Sequence, residues 1–355
     1  MVKFFRMSKL IILLSSCLGL LACQNSDTPP VPEPPQVQTS ASEPVDLTQM
    51  CDNIQHNMQQ IDNTRTTFAL EQINQDLKVC LPLLPLAEQL KLLDLSTQMY
   101  QRFLHVERSA TEQLAFEQHA FDMAQHPTIQ QSHFEKFAAR DQYLLKHKGQ
   151  AYLELHDDAG ATKLAYRRSP QYLAIIFAPY MPDAEQVFIE RLANDNMQSS
   201  LQDAGLTLDA TDIAERALFW EDYLQRYPKS HFIADARYLA ELYATLLFKG
   251  TAQSPVSYDY VDESSIQPAV LFEVKKLAEL QKSTLANQAR KFIAFLQMSA
   301  EQRLNEISAQ PTAQQKREHG EQALVHAQLN QYLNLKTTLT NSKRDCFSDG
   351  ICLPL

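Results

Sequence analysis

The chain has 355 residues with 7 Gly, 17 Pro, 6 Cys and 1 Trp, and a formal charge of −10. Glycine at about 2 %, against a usual ~7 %, excludes phosphate loops and dinucleotide fingerprints, which need close backbone approach. With abundant Leu, Ala and Gln, it predicts a mostly α-helical fold. The acidic balance excludes a general nucleic-acid binder, and 45 % hydrophobic with 21 % charged residues fits a folded body of one or two domains.

Residues 1–22 read as an export signal. Lys3, Arg6 and Lys9 form a positive segment, and Leu10 to Leu21 is a predominantly apolar stretch of 12 residues, well short of the ~20 that span a bilayer. Leu20-Leu21-Ala22-Cys23 then resembles the lipobox of bacterial lipoproteins. The resemblance implies cleavage before Cys23, lipidation of its sulfur, and stable anchoring by two or more acyl chains. Gln24 rather than Asp follows the cysteine, which in that family implies the outer membrane, facing the periplasm or the cell surface. Without residues 1–22 the chain keeps 29 basic against 42 acidic side chains, so no polybasic attachment to lipid is expected. Residues 23–45 form the tether. Six of the 21 residues from Gln24 to Pro44 are Pro and none is aromatic, so this stretch should be extended and reach several tens of ångströms.

A helical body follows over 46–340, with a sub-boundary near 149–168 and a C-terminal tail over 341–355. Four cysteines remain there: Cys51, Cys80, Cys346 and Cys352. An even count in an exported chain suggests two disulfides in one of three pairings. On one straight helix Cys51 and Cys80 would lie about 40 Å apart, so that pairing requires a hairpin turning near Asp62-Asn63-Thr64. Cys346 and Cys352 enclose the turn signal Asp349-Gly350, which allows a local bond. Neither pair has the short spacing of a zinc site.

Leu86–Val106 is a strong helix by pattern, Pro127 closes the next, and residues 133–147 should be helical. Around Asp157-Asp158-Ala159-Gly160 a small β-hairpin over 150–168 competes with two short helices. Ser169 can cap a helix that has Pro170 at its first position, and Tyr172–Tyr180 reads as core. Pro182 opens a helix to about Asn194. Thr211 caps one to Arg226, and the next runs from His231 to Phe248, with Gly250 just beyond it. After a loop of about 17 residues, Pro268 starts a long helix to Met298. Capping boxes at Ser299/Gln302 and Thr312/Gln315 start the last two, the final one containing Gly320 and reaching about Thr338.

Residues 217–250 resemble one helix–turn–helix of the tetratricopeptide type found in periplasmic proteins. Tyr223, Tyr227, Pro228, Ser230, Ala234, Ala236, Tyr238 and Tyr243 carry the likeness. Pro228 ends one helix, Ser230 caps the next, and Ala236 and Ala240 allow close packing. The resemblance implies protein or peptide binding. No clean 34-residue recurrence surrounds it, so the fold is expected to be a multi-helix bundle or an irregular array of helical hairpins.

Catalytic signatures are absent: there is no GxSxG, HExxH, P-loop or GxGxxG. His105, His119, His126, His133 and His147 are spaced by multiples of seven, with Glu117, Asp122 and Glu135 nearby, but Pro127 breaks their register. No metal and no cofactor is expected. The loop Gln253–Gln267 is the other candidate surface, with Tyr258 and Tyr260 flanking Asp259. The reading is therefore a lipid-anchored outer-membrane protein, a non-enzymatic scaffold or adaptor for another envelope protein or peptide, not for nucleic acid. Its candidate contacts are Trp220, Tyr223, Tyr258 and Tyr260. A cell-wall-acting enzyme and a toxin-inhibiting immunity lipoprotein are the alternatives.

Overall fold

The computed structural model describes residues 47–125, 131–158, 163–198, 200–202, 205–336 and 343–354. The leader, Cys23 and the tether lie outside these residues. The fold is mostly α, with short antiparallel strand pairs. α1 (Leu47–Gln59) and α2 (Thr67–Cys80) form the expected hairpin. At its turn Asp62 accepts the amide and hydroxyl of Thr64 at 2.9 and 2.6 Å. Cys51 and Cys80 are thereby brought to a Cα separation of 5.4 Å and bonded. α3 (Leu86–Leu104) buries Leu92, Leu93, Ser96, Met99, Tyr100 and Phe103 along one face.

Ser109 and Glu112 cap α4 (Ala110–Gln125) reciprocally. The helix expected over 133–147 is two pieces, α5 (Gln131–Phe134) and α6 (Ala139–Lys146). Ala138 between them is extended, and the break sets buried Asp141 against Arg108 in two bonds of 2.7 Å. β1 (Leu153–Asp158) and β2 (Lys163–Arg168) form the small hairpin, in register from Leu153 opposite Arg168 to Asp158 opposite Lys163. Leu155, Leu164 and Tyr166 cover a minor core built on Phe116, Phe134 and Phe137. Tyr166 also packs on the main core, so this region joins two cores, and Asp46–Leu355 is one compact unit.

α7 (Gln171–Ile176) is not capped by the Ser169 side chain. Pro170 already has helical angles, and the Ser169 carbonyl accepts the Tyr172 amide. Tyr172, Leu173, Ile176 and Phe177 are core as expected, although Ile175 is exposed. α8 (Asp183–Asp195) follows Pro182, and β3 (Leu201–Gln202) pairs with β4 (Gly205–Leu206). α9 (Ala210–Arg226) is capped by Asp209, which accepts the Asp212 amide at 2.9 Å. Thr211, the expected cap, instead reaches Glu273 at 3.1 Å. α10 (Ile233–Lys249) packs along α9. Ser230 does not occupy the cap position either; its hydroxyl donates to buried Glu185 at 3.0 Å and accepts the Phe232 amide at 3.1 Å.

The single helix expected from Pro268 to Met298 is α11 (Pro268–Ala278) and α12 (Thr284–Gln297). Lys282 is left-handed at φ +59°, and Ser283 caps α12. Glu221 of α9 accepts the Ser283 hydroxyl at 2.7 Å and the Thr284 amide, while Arg290 donates to the carbonyls of Ala278 and Leu280. Side chains from elsewhere thus satisfy the groups freed by the break. α13 (Ala300–Glu306) and α14 (Ala313–His319) start with both expected capping boxes. Gly320, at φ +53°, ends α14 and opens a single 3₁₀ turn (Gly320–Gln322), so the expected last helix is interrupted there, and α15 (Ala323–Leu333) stops at left-handed Asn334. The expected end near Thr338 falls outside the described residues. β5 (Arg344–Asp345) and β6 (Leu353–Pro354) flank the Cys346–Cys352 disulfide, whose Cα atoms are 4.0 Å apart.

Arg168 on β2 ties this last loop to the body. It pairs with buried Asp349, donates to the Ser96 and Thr97 hydroxyls at 2.9 and 3.2 Å, and lies over the rings of Tyr100 and Tyr172. Burial pushes the Asp349 carboxyl above its ordinary range, and Arg168 pulls it back. Truncation of Asp349 leaves a buried guanidinium uncompensated. Asp349→Ala is expected to cost about 3–5 kcal/mol in urea unfolding; a loss below about 1 kcal/mol would show the pair to be dispensable.

Candidate functional site

The α10–α11 connection is built on two residues with positive φ. Gly250 sits at φ +71°, where a Cβ would fall 2.0 Å from the Ser254 carbonyl oxygen, so only glycine fits. Thr251–Ser254 turns back there, and the Val256 amide bonds the Lys249 carbonyl at 3.0 Å. Ser257 accepts the amides of Asp259 and Tyr260, and Asp262 accepts both the amide and the hydroxyl of Ser264. The loop is therefore cross-braced by its own short polar side chains.

Tyr260 is the second. It is left-handed at φ +49° with its ring fully buried. The left-handed region is an outlier for a bulky side chain and costs about 1–3 kcal/mol. What holds it there is visible. Its ring meets Phe292 and His326 edge-on, at centroid distances of 6.2 and 5.2 Å, and its hydroxyl donates to the Phe248 carbonyl at 3.3 Å. With Tyr260 turned inward, its neighbours face solvent: Tyr258 is 77 % exposed and Val261 59 %. Arg303, lying over Phe295, donates to the Val261 carbonyl at 2.9 Å, and the adjoining Leu304 is 60 % exposed. On the other flank His326 meets the Tyr258 carbonyl at 3.0 Å through Nε2. A carbonyl only accepts, so that nitrogen carries the proton.

The other expected contacts are placed differently. Trp220 and Tyr223 are core residues, packed with Phe188 at centroid distances of 5.2 and 5.8 Å, and the Tyr223 hydroxyl lies 2.8 Å from the Ala184 carbonyl. Trp220, Tyr223 and Tyr260 are therefore fold anchors and not surface contacts; Tyr258 alone of the four presents its ring to solvent. The α9–α10 hairpin does border a cleft of about 280 Å³ against α12, floored by Ala217, Leu224, Ala240 and Ala244. Among the histidines, His119 stacks on His133 at 3.9 Å and His147 on Tyr143 at 4.0 Å, while His126 lies outside the described residues. No group of three or more His, Cys, Asp or Glu converges as metal ligands among the described residues. Cys51, Cys80, Cys346 and Cys352 serve as the two staples. Val261, Arg303, Leu304 and His326 were not indicated by sequence patterning; only the length of the loop and its two tyrosines pointed here.

Comparison with known families, with curated proteins and with solved structures finds no match to this chain.

Burial, with His319 and Lys249 nearby, pushes His326 down from its ordinary value to about 4. The unfolded chain takes a proton near pH 6.5 that the folded chain refuses until about pH 4. Stability from this group is thus fully present above the upper value and declines as pH falls toward the lower one, by about 2 kcal/mol after allowance for solvent screening. Chemical unfolding at a series of pH values should show that decline, and His326→Gln should reduce it. An unchanged pH dependence in the variant would remove His326 as its source.

Proposed function

We propose that the mature protein is a lipid-anchored, non-enzymatic adaptor of the bacterial outer membrane, which docks another envelope protein or peptide through the crest of the 251–267 loop. The observation that carries this reading is the left-handed Tyr260. Its backbone is strained and its ring is spent inside the body, and in return Tyr258 and Val261 are presented on a braced support. Strain at a position so heavily over-determined is characteristic of functional surfaces, and amphipathic tyrosine suits recognition. A crest that is already ordered loses little side-chain and loop entropy on docking.

The leader and tether support the remainder of the proposal. The Leu20–Cys23 segment has the residue types that lipoprotein processing needs, and the proline-rich stretch after it would hold the body away from the bilayer. Two disulfides suit an oxidising compartment.

The docking proposal is tested by crosslinking intact cells and capturing wild-type protein beside Tyr258→Ala/Val261→Asp. Both positions are exposed, so the variant should unfold with the wild-type midpoint yet lose at least about tenfold of the crosslinked partner, the ~1.4 kcal/mol or more of one anchor side chain. Equal capture by the two proteins would refute docking at this crest. The anchor is tested separately. Cys23→Ala should move the protein from the membrane to the soluble fraction, and retention at the membrane would contradict lipidation at that cysteine.

A further inference from the structure

Behind the loop crest, His326, whose Nε2 already holds the Tyr258 carbonyl, is joined by two basic side chains that neither the packing nor the docking reading uses. His319, at the end of α14, stacks on His326 of α15 with ring centroids 3.7 Å apart and planes within 5°. Lys249, the last residue of α10, lies close enough to depress the proton affinity of both. Lys249 is itself partly buried, which lowers its proton affinity too. The acid facing this group is Glu318, half-exposed and 4.0 Å from His319 Nε2. Among the described residues no hydrogen bond or ion pair reaches the Lys249 ammonium, although Glu318 acts on it electrostatically.

His326 adds an independent observation. The residue is 95 % buried by its 5 % exposure, and its Nδ1 has no hydrogen-bond partner. The bond from Nε2 to the Tyr258 carbonyl fixes the tautomer. In the neutral ring Nδ1 is then a buried acceptor with no donor. In the protonated ring it is a buried donor with no acceptor, beside a lysine. Either state carries the penalty of an unsatisfied buried group. One partner relieves both difficulties: an anion that accepts from Nδ1–H and neutralises Lys249.

We infer that Lys249, His319 and His326 form an oxyanion site beneath the 251–267 loop, which takes up a carboxylate or phosphate group together with one proton. The proton comes from solvent and is held on Nδ1 of His326; no covalent bond changes. The groups around the His326 ring set its pH dependence: the His319 ring and Lys249 oppose protonation, and Tyr260 contributes a neutral ring. Glu318, near His319 and Lys249, favours the charged form of both. A bound anion reverses the balance for all three bases. The inference does not depend on the docking reading, since the site is defined by the anion alone.

The test uses the mature chain in detergent, with the histidine rings followed by NMR while sulfate or acetate is added. Sulfate keeps its charge throughout the useful range and represents a tetrahedral oxyanion; acetate represents a carboxylate. The His319 and His326 signals should move saturably with at least one of them, exposed His56 should not, and the pH at which His326 titrates should rise by about one unit. A one-unit rise from about 4 requires sulfate affinity to strengthen about tenfold in all as pH falls from ~6 to ~3. Lys249→Gln and His319→Gln, each compared at matched thermal midpoint, should lose the response. Movement of His56 as large as that of His326, no response to either ion, or a wild-type response in Lys249→Gln would each overturn the site. A response to sulfate alone identifies a phosphate-type ligand, and a response to both identifies a general oxyanion.

Discussion

The buried pair between Arg168 and Asp349 is the contact on which the arrangement of this helical body turns. It joins residues 181 positions apart and brings four separate segments to one point: α3 through Ser96 and Thr97, β2 through Arg168 itself, the Cys346–Cys352 loop through Asp349, and α7 through the Tyr172 ring. The end of α8 enters as well, since the Asn196 amide donates to the carbonyls of Cys346 and Asp349 at 3.0 and 2.6 Å. A buried ion pair adds little net stability over an apolar replacement of the same volume. Its value lies in register. Helices packed on apolar faces alone tolerate sliding, whereas a planar guanidinium with three named acceptors admits one arrangement.

The same device recurs away from this point. Arg108 and Asp141 fix α6 against the start of α4, and Arg216 meets Asp195, Ser200 and the Tyr243 hydroxyl where α8, α9 and α10 come together. Burial pushes Asp195 up in proton affinity, against the pull of Arg216 and Arg191. Three internal arginines thus hold irregular helical hairpins that lack the repeat-to-repeat complementarity of a true solenoid. The disulfides act at the ends of this framework. One closes the first hairpin and the other shapes the segment that delivers Asp349 to Arg168.

What was legible in the sequence follows from how local each signal is. Helices with a complete apolar face, such as α3 and α9, appear as periodicity, and the capping boxes at Ser299 and Thr312 are self-contained within four residues. The Cys51–Cys80 bond was legible as a condition, since only a hairpin permits it. The breaks at Lys282 and within the last long helix were not. Lys282 has no turn signature, and the break there is held by Glu221 and Arg290, of which the first comes from a helix some 60 residues earlier. Side-chain orientation was equally hidden. Trp220 and Tyr223 belong to an aromatic-rich stretch that reads the same whether it faces a core or a partner. Tyr258 and Tyr260 differ in fate only because one residue of backbone turns left-handed between solvent and core. His326 sits in an unremarkable Ala-rich helix, and its significance comes from a carbonyl 68 positions away.

The proposed tether and the braced loop make opposite physical demands, and their combination gives the proposal its internal logic. A proline-rich linker leaves the orientation of the body free while confining it near the bilayer, which raises the encounter rate with any partner held in the same membrane. Freedom of orientation costs affinity unless the contact surface itself is rigid, because every residue ordered on docking subtracts from the binding energy. The loop meets that condition in advance. Gly250 sets its turn, Ser257 and Asp262 brace it, Arg303 and His326 hold two carbonyls of its crest, and the strain at Tyr260 is absorbed by the core and not by the complex. The partner therefore needs only a small apolar recess for Tyr258 and Val261, so a modest contact area suffices for an adaptor whose search is already limited to one membrane.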